Sequence, residues 1–197
     1  MLFRSNYTVT DSRGCSASNS VTVGQPAALT ANASATPIAC FGGSSTVTVT
    51  AAGGTAPYTG TGTYSRTAGA YSYTVRDANN CATSVSGTIT QPTQLTASNV
   101  VGAAIACFGG STTVTVSATG GTTPYNGTGT FTRGAGAFTY TVTDANGCTA
   151  ATSGSLTQPA TGVSAAVQIG TIACYGGTTT VKITPTGGTS PYTGGGT

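Results

Sequence analysis

The sequence contains no histidine, no tryptophan and no glutamate, and it carries almost no charge: six Lys/Arg and three Asp in 197 residues. Each shortage excludes a class of function. General acid–base chemistry draws on His or on paired carboxylates, and Asp11, Asp77 and Asp144 lie far apart. Zinc sites need Cys and His at short spacing, yet no two Cys here are closer than 25 positions. A net charge of +3 cannot build the basic stripe that nucleic acid demands. No run approaches the roughly 18 apolar residues of a membrane span. Neither an enzyme, nor a cofactor or metal site, nor a nucleic-acid partner is expected.

What is present is hydroxyl and glycine. The chain holds 44 Thr, 19 Ser and 30 Gly. Disorder goes with high net charge and few β-branched or aromatic residues. Here Val and Thr abound, so the expectation is a folded, all-β chain.

Internal repeats set the architecture. Cys40, Cys107 and Cys174 recur every 67 residues, as do Cys81 and Cys148, with Cys15 lying 66 before Cys81. Ala-Cys-Phe-Gly-Gly at 39–43 returns at 106–110, and as Ala-Cys-Tyr-Gly-Gly at 173–177. Gly-Gly-Thr-x-Pro-Tyr ends at Tyr58, Tyr125 and Tyr192, and units close with Gln-Pro at 25–26, 91–92 and 158–159. The organisation read from this is a trailing part of a repeat over 1–26, complete repeats over 27–92 and 93–159, and a leading part over 160–197. Tyr7 aligns with Tyr73 and Tyr140, and Thr197 aligns with Thr130 and Thr63. The chain therefore reads as a stretch of a longer tandem array, and no apolar segment of signal-peptide type follows Met1.

Within a unit, Val47 and Val49 alternate with Thr, as do Val114 and Val116. Phe138, Tyr140 and Val142, like Tyr71, Tyr73 and Val75, alternate with hydroxyl residues. Period-two alternation predicts one buried and one wet face. Short strands punctuated by Gly-Gly and Asp-Ala-Asn turns predict a sandwich. Thirteen of fourteen aromatic residues fall on five equivalent repeat positions, Phe3 standing apart, as a repeated core requires. The Pro-Tyr tyrosines Tyr58, Tyr125 and Tyr192 sit in loops, open either to packing or to contact with a glycan.

Cys-Phe-Gly-Gly, then Gly-Gly-Thr-x-Pro-Tyr, then Tyr-Thr-Val-x-Asp-Ala-Asn-x-Cys resembles the SprB-type repeat of very large surface adhesins of gliding bacteria. The resemblance covers essentially the whole chain. It implies tandem immunoglobulin-like β-sandwich repeats of about 67 residues, export to the cell surface, and a fibrous or adhesive role among neighbouring repeats or copies of the chain. A carbohydrate-binding module, or a non-catalytic spacer of a large secreted enzyme, are the alternatives.

Six regularly spaced Cys point to an oxidising compartment and a disulfide framework. Three periodic pairings are open. One spans 41 residues, Cys40–Cys81 and Cys107–Cys148. A second crosses the Gln-Pro boundary, Cys15–Cys40, Cys81–Cys107 and Cys148–Cys174. The third staples next-door units, Cys40 to Cys148. The first is the expectation, since five residues after Cys40 leave room to return along the sandwich edge. The three Asp, each four before a Cys, read as Asx caps on a hairpin turn, and Arg66 and Arg133 as solvent-facing strand residues. So low a charged fraction lies far below the roughly 25–35% of ordinary soluble surfaces, which points to carbohydrate on exposed hydroxyls. Loop positions Thr61, Thr63, Thr128 and Thr130 are the candidates, together with sequons at Asn6, Asn32 and Asn126.

Overall fold

Alternating Val and Thr become two faces of real strands, and every regular element is a strand. The structure, a computed structural model, describes residues 2–194, and no helix occurs among them. In chain order the strands are β1 (Leu2–Thr10), β2 (Ser16–Gly24), β3 (Thr30–Ala35), β4 (Ser45–Ala52), β5 (Gly62–Arg66), β6 (Gly69–Arg76) and β7 (Ala82–Ile89). There follow β8 (Thr96–Val101), β9 (Ser111–Thr119), β10 (Gly129–Gly134), β11 (Gly136–Thr143), β12 (Thr149–Leu156), β13 (Ser164–Ile169) and β14 (Val181–Thr186). The chain divides between Gln91 and Pro92 into two compact units.

Each unit holds one five-stranded sandwich. In the first, an antiparallel sheet ordered β3-β4-β5 faces the hairpin β6-β7; in the second, β8-β9-β10 faces β11-β12. Val47 and Val49 of β4 meet Val75 of β6 and Ile89 of β7, with Ile38 closing one end. Val114, Val116, Val142, Phe138, Leu156 and Ile105 repeat that core. Two face-packed antiparallel sheets give the immunoglobulin-like layout, here with five strands rather than the usual seven. Val47, Val75, Val114 and Val142 are fully buried, each contributing about 1.5–3 kcal/mol. Such small cores leave little surplus against chain entropy.

The Gly-Gly turn after β4 explains one repeated motif. Gly53 and Gly120 have positive φ, and a Cβ on either would stand 2.0 or 1.9 Å from the carbonyl oxygen of Ala28 or Gln94. The loop can lie against the segment that enters the repeat only because no side chain intervenes. The Gln of Gln-Pro explains another. Gln91 Oε1 accepts the Gly42 amide at 2.8 Å, and Gln158 Oε1 the Gly109 amide at 2.9 Å. The Cys-Phe-Gly-Gly turn is thereby fastened where the chain leaves the repeat.

Candidate functional site

The chemistry-bearing side chains gather at the two ends of each sandwich. At the end where the chain enters, the β6-β7 turn carries Asp77 and Cys81, and the Gly-Gly-Thr loop folds beside it. Asp77 is buried: Oδ1 accepts the amides of Asn79 and Cys81, each at 2.9 Å, and Oδ2 accepts the Thr55 amide at 3.0 Å. Asp144 repeats this with Asn146, Cys148 and Thr122. The cap thus reaches beyond its own turn and ties the hairpin to the opposite sheet's loop. Burial pushes the Asp77 carboxyl up, but the amides of Thr55, Cys81 and Asn79 outweigh it and hold it below the usual carboxylate range. For Asp144, burial is outweighed in the same way by the amides of Thr122, Cys148, Asn146 and Gly147.

At the opposite end lies the Cys-Phe-Gly-Gly turn, closed by the Gly43 amide on the Cys40 carbonyl at 3.0 Å. Cys40 and Cys148 are each disulfide-bonded, whereas Cys15, Cys81, Cys107 and Cys174 are free and exposed. This corrects the expected Cys40–Cys81 and Cys107–Cys148 pairing, and it equally leaves Cys15–Cys40, Cys81–Cys107 and Cys148–Cys174 unformed. The reason is geometric. The eight residues of β4 separate the Cys40 turn from the loop beside Cys81, a rise of about 26 Å, and a disulfide tolerates at most about 7 Å between Cα atoms.

Within the first unit, Cys81 shares a cleft with Pro26, Gly54 and Asp77. Within the second, Cys107 and Phe108 share a cleft with Gly162, Val163, Gly188 and Thr189 of the following partial repeat. Gly188 is the counterpart of Gly54. Phe41, Phe108 and Tyr175 are exposed, which corrects the core assignment of that aromatic position. Its repetition beside an end cysteine, rather than within an alternating strand, was the available signal.

The Pro-Tyr tyrosines turn their polar ends inward. The hydroxyls of Tyr58 and Tyr125 donate to the carbonyls of Gly53 and Gly120 at 2.6 Å, and both rings pack on the cores. Tyr192 donates to Gly187 and stays more open. The peptide bond before the proline, at Ala56-Pro57, Thr123-Pro124 and Ser190-Pro191, is cis in all three loops. Thr63 and Thr130 are strand residues rather than loop residues, opposite Thr48 and Thr115 in register, because the strands β5 and β10 begin at Gly62 and Gly129. The Thr130 hydroxyl lies 3.1 Å from that of Thr115. Thr61 is half-buried and Thr128 exposed; Asn6 and Asn32 lie exposed on β1 and β3, and Asn126 is exposed where its backbone bridges Thr143.

Arg66 does more than face solvent. Its Nε donates to the Tyr73 hydroxyl at 2.9 Å, and its guanidinium stands 5.4 Å from that ring's centroid. Tyr73 stacks on Tyr64 at 4.3 Å, joining hairpin to sheet at the sandwich edge. Phe131, Tyr140 and Arg133 repeat the stack. Nothing in the alternation marked this contact, since Tyr64 and Tyr73 belong to different sheets. No group of three or more His, Cys, Asp or Glu able to hold a metal occurs among the described residues. No known family, no curated protein and no solved structure matches this chain.

Proposed function

We propose that this chain is a structural, non-catalytic segment of an extracellular bacterial surface fibre or adhesin, built of tandem disulfide-containing β-sandwich repeats. The observation that carries the reading is the placement of the two cysteine types at opposite ends of each repeat, with one of each type disulfide-bonded. A cross-link within a repeat would guard only that repeat. One cysteine at each end suits a repeat whose cross-links reach beyond itself. Closing each bond removes two protons and two electrons from a thiol pair, passed by exchange to a disulfide donor of the exported compartment, which is reduced to two thiols. Carbohydrate on exposed hydroxyls, Thr128 foremost, supplies the hydration that so few charges cannot. The carbohydrate-binding alternative has less support, since the rings of Tyr58 and Tyr125 are spent on the core.

The experiment is mechanical shearing of intact producing cells, followed by non-reducing peptide mapping and intact-mass measurement. The reading expects the protein in the sheared fraction, Cys40 and Cys148 in disulfide-linked peptides, and mass above that of the peptide alone. Protein retained inside the sheared cells overturns the surface role. Cys40 and Cys148 alkylated without reduction overturn the disulfide framework, and a bare peptide mass overturns glycosylation.

A further inference from the structure

In each complete repeat the chain enters at one end of the sandwich and leaves at the other. The Ala27 carbonyl accepts the Gly54 amide at 2.7 Å, and the neighbouring Thr55 amide reaches Asp77, so the approach to β3 and the start of β7 share one end. Just past β3, the Thr36 amide donates to the Thr46 carbonyl at 3.1 Å, and just past β7, Gln91 holds the Gly42 amide. Both strands therefore finish at the opposite end. The second repeat has the same two fastenings, Gly121 on the Thr93 carbonyl at 2.9 Å and Gln158 on the Gly109 amide. The first and last strands of a repeat thus run in the same direction, and they are neighbours: β3 lies against β7, and β8 against β12.

This layout decides how tension acts. A pull along the chain draws β3 toward the entry end and β7 toward the exit end, each along its own axis. Six antiparallel register pairs hold β3 to β4, and eight hold β7 to β6. The bonds of such pairs lie across the strands, so force parallel to the strands loads all of them at once. Force across the strands opens them one at a time. Resistance to pulling is governed by the unfolding rate under load rather than by equilibrium stability, so a repeat with a small core can still be strong in this direction.

The two complete repeats differ at one tie between the loaded strands. Asn99 of β8 donates through Nδ2 to the Thr152 hydroxyl of β12 at 2.6 Å and to the Ser153 carbonyl at 3.4 Å. Asn99 stands opposite Val116 in register, the place that Ala33 takes opposite Val49 in the first repeat. Thr152 stands opposite Tyr140 as Val85 stands opposite Tyr73. Ala33 and Val85 have no polar side-chain atom and cannot make this bond. It crosses from sheet to sheet, between the two strands that tension slides past each other.

We infer that each complete repeat is a force-bearing module loaded in shear, and that the Asn99 tie makes the second repeat the stronger. This deepens the fibre reading and rests on it for its biological use. It is decided on the purified chain, so a failure of cell-surface localisation and a failure of mechanical resistance are separate results.

The test is single-molecule stretching of the full chain under reducing conditions, so that the disulfides at Cys40 and Cys148 do not shorten the extension. Pulled between its termini, the chain should give two large steps of about 200 Å each, the reach of an extended repeat less its folded span, at two different forces. In a second pulling direction, handles are clicked onto unnatural residues at Thr30 and Ala52, which are exposed and paired in register, so that β3 peels from β4. The first repeat should then open at a force severalfold lower than its force between the termini. Asn99→Ala and Thr152→Val should each bring the stronger step down to the weaker one and leave the weaker one unmoved. An along-chain force no higher than the peeling force overturns the inference. So do two wild-type steps of equal force, or variants that leave both forces unchanged.

Discussion

The β6-β7 and β1-β2 hairpins share length, turn and alternation, yet one holds half of a core and the other holds none. Val75 and Val9 occupy the same repeat position with opposite burial. What differs is the facing sheet: β3-β4-β5 lies over the first hairpin within its own unit. Burial here belongs to the pair of layers, since a single two-stranded ribbon cannot shield its own face from water. The β13-β14 pair teaches the same from the other side, retaining the Val/Ile pattern of a core-facing sheet without a hairpin to cover it.

The comparison can be broken first at the paired valines. Val75→Ala is expected to cost about 2 kcal/mol through lost burial and a residual cavity. Val9→Ala in the dilute chain should stay within about 0.5 kcal/mol, as exposed substitutions do. Urea unfolding at low protein concentration measures both, and equal costs would mean that the β1-β2 face is already covered.

A second, smaller effect sharpens an exchange across the hairpin: Tyr71 stands opposite Gly87 in β6-β7, whereas Ser5 stands opposite Val21 in β1-β2. A Cβ at Gly87 would stand 2.5 Å from the Tyr71 hydroxyl, so Gly87→Val should cost about 1–3 kcal/mol by overpacking. Adding Tyr71→Ser recreates the Ser5/Val21 pair of β1-β2 and should recover about 1 kcal/mol as a coupling term. Additive costs in the double-mutant cycle would show that the exchange is not compensatory.

The smallest expected effect is on acid stability. Asp77 and Asp144 have native pKa values held low, so their contribution is complete above the unfolded carboxylate pKa near 4 and is lost as pH falls through the lower native values. The variant D77N/D144N should therefore show a shallower loss of stability as pH falls below about 4. Urea midpoints against pH decide it, and an unchanged slope in D77N/D144N removes the carboxylates from the account.

Much of the fold was legible because each signal was local. Val47 and Val49 alternate with Thr, and turn glycines and Asp-Ala-Asn runs bound the strands, so strand identity and inward face followed from period two. The two cores match that reading at Val47, Val49, Val75, Val114, Val116, Phe138 and Val142. The Asp turn was legible as well, as an Asx cap, but its third bond to Thr55 or Thr122 crosses from hairpin to sheet loop, 22 residues away in sequence. The end cysteines were misread because spacing along the chain carries no information about which end of the sandwich a turn occupies. The Tyr64–Tyr73 stack and its Arg66 cover escaped for the same reason.

By itself the sequence determined strand identity, repeat positions and the inward face of each strand, because alternation, turn residues and periodicity are properties of neighbouring residues. Only the tertiary structure decided which cysteines share an end, which aromatic rings are buried, and which of two like hairpins is covered. Those depend on which sheet lies over which, and the distances that fix them run through space rather than along the chain.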